Sequence, residues 1–346
     1  VINQSENKEY IVVTGGGTGG HLKVADAFIE ELKGRDFNIV FIGSKKGQDK
    51  SWFENDDRLK EAIFLHTSGV VNKKGLSKLL SLTNILSKTL ECLKIYRKYS
   101  VKKVISVGGF SAASASFAAI LKKDCRFFIH EQNSKMGKLN ELTSKFASAV
   151  YSSFLESSKV KDYPVDLKFF ENSRARKKIK IIAFFGGSQG AVAINNFALK
   201  VAPKLNEMGI KIIHQTGASN LERVKEFYKN KNINADIFDF TKDIVSKMKE
   251  ADFCVSRAGA STLFELCANN LPTLFIPYKY AAKNHQYFNA KVLFDKNLCF
   301  LQNEDELDEN LFFEALNCDI EKISIALKDI VKPNAIKFIV DDILLN

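Results

Sequence analysis

Hydrophobic positions in this chain follow two alternating patterns. Short runs of β-branched and aromatic residues give way to longer stretches whose apolar positions return every three or four residues. The first pattern reads as buried strand and the second as amphipathic helix, and their alternation predicts an α/β fold with parallel sheets. The predicted strands are Tyr10–Thr14, Ile39–Ile42, Val104–Val107, Phe127–His130, Lys180–Phe185, Lys211–His214, Phe253–Ser256 and Thr273–Ile276. Two of them run into glycine-rich loops that open a helix. Gly15-Gly16-Gly17-Thr18-Gly19-Gly20-His21 follows the first, and Gly186-Gly187-Ser188-Gln189-Gly190-Ala191 follows another, 171 residues later. Each glycine run opens an amphipathic helix, with Val24, Ala27, Phe28 and Leu32 on one and Ile194, Phe197 and Val201 on the other.

A length of 346 residues suits two domains of this kind. The boundary is expected near 160–178, where Pro164 and the basic run Arg174-Ala175-Arg176-Lys177-Lys178 interrupt the pattern. One segment imitates a membrane span: Val104 to Leu121 carries no charge over 18 residues. Gly108-Gly109 and four serines dilute it, so it reads as strand, glycine turn and small-residue helix. The polar start Val1–Glu6 lacks the order of a secretory signal. Six scattered cysteines form no CxxC pair and no Cys/His cluster, which argues against a disulfide or zinc framework and for a reducing compartment.

Charge changes the picture more than composition does. The formal net charge is +11, and residues 1–162 carry most of it, with 26 basic against 17 acidic residues. Lys73 to Lys103 holds nine basic residues against Glu91 alone. Leucines at 79, 82, 86, 90 and 93 run beside them at helical spacing. Two readings stand: a core-packed helix with a basic outer face, or a surface that meets anionic lipid. On the second, Lys73, Lys74 and Lys78 touch headgroups while Leu79 and Leu82 dip in. Nucleic acid is not the expected partner, because only Tyr96 and Tyr99, at one end, could stack on bases.

Glycine loops at helix starts let phosphate approach backbone N–H groups where the helix dipole favours negative charge. Gly15, Gly17 and Gly20 match a dinucleotide fingerprint, but Ser44-Lys45-Lys46 stands where a dehydrogenase would place its ribose-binding acid. A Walker loop fails, since no Gly-Lys-Ser/Thr follows either run. The segment Ser256-Arg257-Ala258-Gly259-Ala260-Ser261-Thr262-Leu263-Phe264-Glu265 sets Arg257 and several amides at a helix start, with Glu265 a turn further on for a ribose. Asn284-His285-Gln286 to Asn289 adds amide side chains suited to sugar hydroxyls.

Five blocks together, GGGTGGH, His130-Glu131-Gln132-Asn133, GGSQGA, Ser256–Ala260 with Glu265, and His285-Gln286…Asn289-Ala290, resemble the MurG family. The resemblance spans about Tyr10 to Asn303. It implies a GT-B architecture of two Rossmann-like domains facing a cleft. Residues 1–162, with a returning C-terminal helix at about 325–346, would form the acceptor- and membrane-facing domain, and 163–324 the UDP-N-acetylglucosamine domain. The implied activity is inverting transfer of N-acetylglucosamine to the muramoyl 4-hydroxyl of lipid I, giving lipid II for cell-wall synthesis, cell shape and division. Implied donor contacts are Ser188 at the pyrophosphate, Glu265 at the ribose, main chain near Thr241 at uracil, and Gln286 at the sugar. Arg257, Ala260, Ser261, Thr262 and Leu263 would lie by phosphate and sugar, and Thr18, Gly19, Gly20 and Asn133 would close on the donor and admit the acceptor. Both glycine loops are expected to grip the diphosphate. His21 is the expected general base and Glu131 its rival.

No cofactor is expected, since no DxD pair appears to chelate a metal. The expected location is peripheral, on the cytoplasmic face of the inner membrane, with lipid I, anionic lipid and other cell-wall synthesis proteins as partners. The chain departs from the family at Asp162-Tyr163-Pro164-Val165-Asp166, where a phosphate-neighbouring arginine is missing and Arg257 or Lys168 would supply the charge. Other readings are a different GT-B enzyme, either a glycolipid glycosyltransferase or a UDP-sugar epimerase, and a non-catalytic nucleotide-sugar-binding scaffold.

Overall fold

The computed structural model describes residues 8–67, 75–187 and 189–346, and of residues 75–79 the backbone alone. The chain divides into two compact units: Val1–Pro164 with Asn334–Asn346, and Val165–Pro333.

Unit 1 runs β1 (Tyr10–Thr14), α1 (Gly19–Gly34), β2 (Asn38–Ser44), α2 (Asp49–Phe53), β3 (Glu61–Leu65) and α3 (Gly75–Lys98). It continues through β4 (Lys103–Ser106), α4 (Ala113–Leu121), β5 (Arg126–His130), α5 (Lys138–Thr143) and β6 (Ala149–Tyr151). Its six strands lie parallel in the order β3-β2-β1-β4-β5-β6. The apolar run 104–121 is the predicted strand, glycine turn and helix. Among the described residues, no helix is long and apolar enough to cross a membrane.

Unit 2 begins with α6 (Leu167–Glu171), β7 (Ile181–Phe185), α7 (Val192–Glu207), β8 (Lys211–Gln215), α8 (Leu221–Asn230), β9 (Ala235–Phe238) and α9 (Ile244–Glu250). There follow β10 (Phe253–Ser256), α10 (Ala260–Ala268), β11 (Thr273–Phe275), α11 (His285–Phe294), β12 (Phe300–Leu301), α12 (Glu309–Leu316) and α13 (Ile320–Leu327). The sheet order β12-β11-β10-β7-β8-β9 is that of unit 1 read from the other edge. Both sheets therefore reverse strand order beside their first strand, at β1/β4 and at β7/β10. Ligands of open α/β sheets bind outside the carboxyl ends of the strands at such points.

The cores follow from the strand patterns. In unit 2, Ile182, Phe184, Phe253 and Val255 are buried beneath Ile194, Phe197 and Val201 of α7. In unit 1, Val12, Val40, Ile42 and Val104 pack with Cys92 and Tyr96 of α3. The basic run at 174–178 reaches into unit 2. Arg176 is fully buried and donates to the carbonyls of Met248 at 2.9 Å and Ala251 at 3.2 Å and to Asn269 Oδ1 at 2.6 Å. Burial, followed by the charge of Arg174, pushes its pKa down to about 9.

The terminal stretch expected as one returning helix is two helices. The first, α13, ends at Leu327; Pro333, which lacks an N–H, and Asn334, at a left-handed φ of 66°, stand just before the second begins at Ala335. Only α14 (Ala335–Leu345) belongs to unit 1. There Asp341 pairs with Arg35 at 2.5 Å, and Asp342 takes Tyr151 Oη at 2.7 Å and Lys159 at 2.9 Å.

Candidate active site

In unit 2 the glycine loop and the start of α10 stand at the ends of adjacent strands. Gly190 has a φ of 76°, and a Cβ there would come 2.3 Å from the Thr216 carbonyl, so the loop closes against the end of β8 only because the residue is glycine. Ser188, expected at the pyrophosphate, lies outside the described residues. One strand over, the N-cap of α10 is Gly259, which has no side chain to cap the helix. The start of α10 is thus suited to an anion, with Ala260, Ser261 and Leu263 buried and Thr262 half-buried. Asn289, fully buried on α11, donates to the Ala258 carbonyl at 3.1 Å and fixes the peptide leading into this turn. Glu265 is 6% exposed on α10. Gln286 accepts from the Tyr278 N–H at 2.9 Å. Thr241, after β9, accepts from the Asp243 N–H at 3.0 Å.

Arg257 is held more tightly than its expected role suggests. Its Nη1 donates to Glu304 at 2.7 Å and to the carbonyls of Ile276 and Pro277 at 3.1 and 3.2 Å, and its guanidinium lies 5.4 Å from the Tyr278 ring. Lys168, the other candidate for the missing cation, is exposed and pairs with Asp166 at 2.8 Å.

In unit 1 the loop after β1 meets the turn after β4. Gly16 N–H donates to the Gly108 carbonyl at 3.1 Å, and a Cβ on Gly109 would come 2.2 Å from the Gly16 carbonyl. Gly17 N–H donates to Asp49 Oδ1 at 2.5 Å. Both amides are therefore engaged inside the unit, and in the second loop Gly186 N–H likewise donates to the Gln215 carbonyl at 3.3 Å and Gly190 N–H to the Gly187 carbonyl at 3.0 Å. Beyond Gly17, Thr18 is the N-cap of α1, with Gly19, Gly20 and His21 in its first turn. Thr18 Oγ1 lies 2.8 Å from His21 Nδ1.

The loop after β5 is built around a carboxylate. Glu131, 2% exposed, accepts from Asn133 N–H at 2.9 Å, Gly137 N–H at 3.0 Å and Asn140 Nδ2 at 2.8 Å. Gln132 Nε2 donates to the Val107 carbonyl at 2.8 Å, tying the loop to the end of β4. His130 packs edge-on against Phe28 and Tyr163. Burial, and then the nearby His21, push its pKa down to about 3, so it is neutral. Glu131 thus orients the turn that presents Asn133, the alternative to a base role that a carboxylate on this turn allows.

The leucine stripe on α3 divides: Leu93 is half-buried and packs against the unit 1 core, whereas the three leucines before it face outward. Leu82, Leu86 and Leu90 are 47%, 61% and 54% exposed, while Ser81, Thr89, Cys92 and Tyr96 face inward. Tyr96 Oη donates to the Ala115 carbonyl at 2.9 Å, fastening α3 to α4. Lys73 and Lys74 lie outside the described residues, as do the side chains of Lys78 and Leu79.

Two residues escaped the sequence reading of the site. Asp49 stands a few positions beyond 44–46, where an acid after the second strand was sought, and Glu304 gave no local signal. Asn289 was read among the amides suited to sugar hydroxyls, but its side chain is buried and donates to the Ala258 carbonyl. Among the described residues, no group of three or more His, Cys, Asp or Glu side chains is placed to hold a metal ion.

Residues 11–152 match the model of the glycosyltransferase family 28 N-terminal domain, and residues 181–331 that of its C-terminal domain. A UDP-N-acetylglucosamine–N-acetylmuramyl-(pentapeptide) pyrophosphoryl-undecaprenol N-acetylglucosamine transferase of Campylobacter jejuni is 51% identical over 336 residues, covering 96% of this chain and 97% of that one. The transferase of the same name from Campylobacter fetus is 49% identical over 96% of this chain and 99% of its own. The crystal structure of Acinetobacter baumannii MurG superposes with a TM-score of 0.82 at 24% identity, covering 98% of this chain and 100% of that one.

Proposed function

Since the chain belongs to the MurG family, within glycosyltransferase family 28, we propose a division of its reaction between the two units. The protein has the two-domain α/β GT-B fold and is a UDP-N-acetylglucosamine-dependent glycosyltransferase of peptidoglycan synthesis. It transfers N-acetylglucosamine to lipid I and forms lipid II. The observation that carries the division is the switch point of unit 2, where the Gly186–Gly190 loop lies beside the helix start at Ala260.

Unit 2 takes the donor. The first-turn amides of α10 and the β7 loop with Ser188 receive the diphosphate, Glu265 accepts from the ribose hydroxyls, main chain near Thr241 meets uracil, and Gln286 reads the sugar. Arg257 adds positive potential beside the phosphates while remaining tied to Glu304. Unit 1 takes the acceptor along Thr18, Gly19, Gly20 and Asn133. The muramoyl 4-hydroxyl oxygen attacks the anomeric carbon, the bond to the β-phosphate oxygen breaks, and UDP departs with the electron pair. The hydroxyl proton passes to His21. That requires the tautomer in which Nδ1–H donates to Thr18 Oγ1, leaving the Nε2 lone pair to accept. Helix-end N–H groups stabilise the leaving diphosphate.

The protein binds the cytoplasmic face of the plasma membrane peripherally, through α3. The exposed Leu82, Leu86 and Leu90 and the lysine-rich stretch from Lys73 support this, because an apolar ridge flanked by cations suits anionic lipid.

The test is transfer of radiolabelled N-acetylglucosamine from its UDP ester to a short-chain lipid I analogue, with and without EDTA. Transfer is expected in both arms. No transfer to lipid I alongside transfer to a different glycolipid would overturn the acceptor.

A further inference from the structure

We propose that Asp49 is a positioning residue for this transfer, holding the first glycine loop, and through it Thr18 and His21, in working geometry. Asp49 opens α2, yet its side chain turns away from that helix. It is fully buried, with Oδ1 accepting from Gly17 N–H at 2.5 Å and Oδ2 from Ser44 N–H at 2.8 Å. Room for it has been cleared on both sides. A Cβ on Gly16 would come 2.6 Å from Oδ1, and one on Gly43 would come 3.0 Å from Oδ2. Across the loop, a Cβ on Gly17 would come 2.5 Å from the Phe110 ring. The peptide preceding Thr18 is thus clamped between a carboxylate and an aromatic ring. The next residue caps α1 and touches His21 Nδ1 at 2.8 Å.

The chemistry of the clamp is specific. An aspartate offers two acceptor oxygens and no donor, which matches two N–H groups, one from the loop after β1 and one from the end of β2. Asparagine would accept one of them and set its own NH₂ against the other. A buried carboxylate is also a costly way to fill space, so its position beneath this loop points to geometry rather than to packing alone. Sub-ångström placement matters in the displacement, because a shift of about 1 Å at reacting groups can cost about 100-fold in rate. The inference rests on the reading of Thr18–His21 as part of the reaction centre.

The experiment compares Asp49→Asn, Asp49→Glu and His21→Ala in the full chain, with competent enzyme counted by UDP titration, since the donor residues of unit 2 do not include Asp49. Asp49→Asn is expected to lower kcat about 10- to 100-fold while KM for the donor stays within about twofold. Asp49→Glu, which keeps both acceptor oxygens on a longer stem, is expected to fall between that variant and the parent. Added to His21→Ala, Asp49→Asn is expected to cost less than about threefold, because both act on one step. Wild-type kcat per competent Asp49→Asn enzyme would overturn the inference. So would an undiminished loss in the His21→Ala background. If the Asn variant does not accumulate, Asp49→Glu decides alone: reduced kcat with unchanged donor KM supports the clamp, and parental kcat refutes it. Full turnover by His21→Ala would mark failure of the reaction-centre reading instead.

Discussion

Arg257 and Glu304 form an ion pair at 2.7 Å in which each side chain keeps only 16% of its surface exposed. With two carbonyls also accepting from the same guanidinium nitrogen, the cation is pre-oriented before any phosphate arrives. Arg257→Ala should raise donor KM about tenfold or more, the worth of one hydrogen bond to a charged group. Glu304→Ala should leave a partly buried cation without its anion and lower stability by about 1–2 kcal/mol, read from denaturant melts. Equal donor KM in the parent and Arg257→Ala would remove Arg257 from the donor site.

The contact between Thr18 Oγ1 and His21 Nδ1 lets the hydroxyl accept from Nδ1–H, the tautomer that the base role needs. Thr18→Val should lower kcat about 10- to 100-fold, whereas Thr18→Ser, which keeps the hydroxyl, should stay within about threefold of the parent. Steady-state assays at saturating acceptor check the pair; identical values for Val and Ser would refute tautomer control.

Glu131 is expected to act as an anchor. Glu131→Gln replaces one acceptor oxygen by a donor facing N–H groups, so stability should fall by about 1–3 kcal/mol. Were Glu131 the base, the variant would instead melt like the parent and lose turnover. A thermal melt beside a rate measurement separates the two.

Stability should decline on mild acidification. His130 and His214 are both pushed down to about 3, chiefly by burial, with His21 and Arg223 adding to it. His214 is held neutral in a core network with Tyr228 Oη and Asn195 Oδ1, each at 3.0 Å. The unfolded chain takes up these protons near pH 6.5 while the folded one does not. Their stabilisation is therefore present above about pH 6.5 and is lost as pH falls toward about 3. Each should contribute a loss of about 1 kcal/mol between about pH 7.5 and 5.5. His214→Gln should halve that dependence, and urea titrations at the two pH values would show whether it does.

Binding to anionic vesicles should weaken when Leu82, Leu86 and Leu90 become serine, and again when Lys73, Lys74 and Lys78 are reversed in charge. At about 1 kcal/mol per surface lysine, the triple reversal should lower partitioning by more than about tenfold in flotation assays. Unchanged flotation in both variants would leave α3 without a membrane role.

The edges of the sheets mark where the sequence pattern stopped being readable. Eight strands were visible as apolar runs, and each lies inside its sheet, flanked on both sides. The four that were not, β3, β6, β9 and β12, are the outer strands. They are mostly half-exposed, so no continuous apolar run marks them. The two glycine loops, the helix start at Ala260 and the His130–Asn133 turn were legible because each is a contiguous string whose chemistry is local.

What the sequence determined by itself was the alternation of elements, the two-domain α/β class and the membership that names the reaction, all carried by residues near one another in the chain. The tertiary structure decided which groups are already engaged. Asp49 meets Gly17 across 32 positions, Arg257 meets Glu304 across 47, and Asn289 meets Ala258 across 31. No periodicity encodes such pairs, because a hydrogen bond depends on distance in space and the fold alone brings these donors and acceptors together. The outward face of α3 was settled in the same way. Periodicity drew the leucine stripe, but the position of α4 determined which side of the helix it covered.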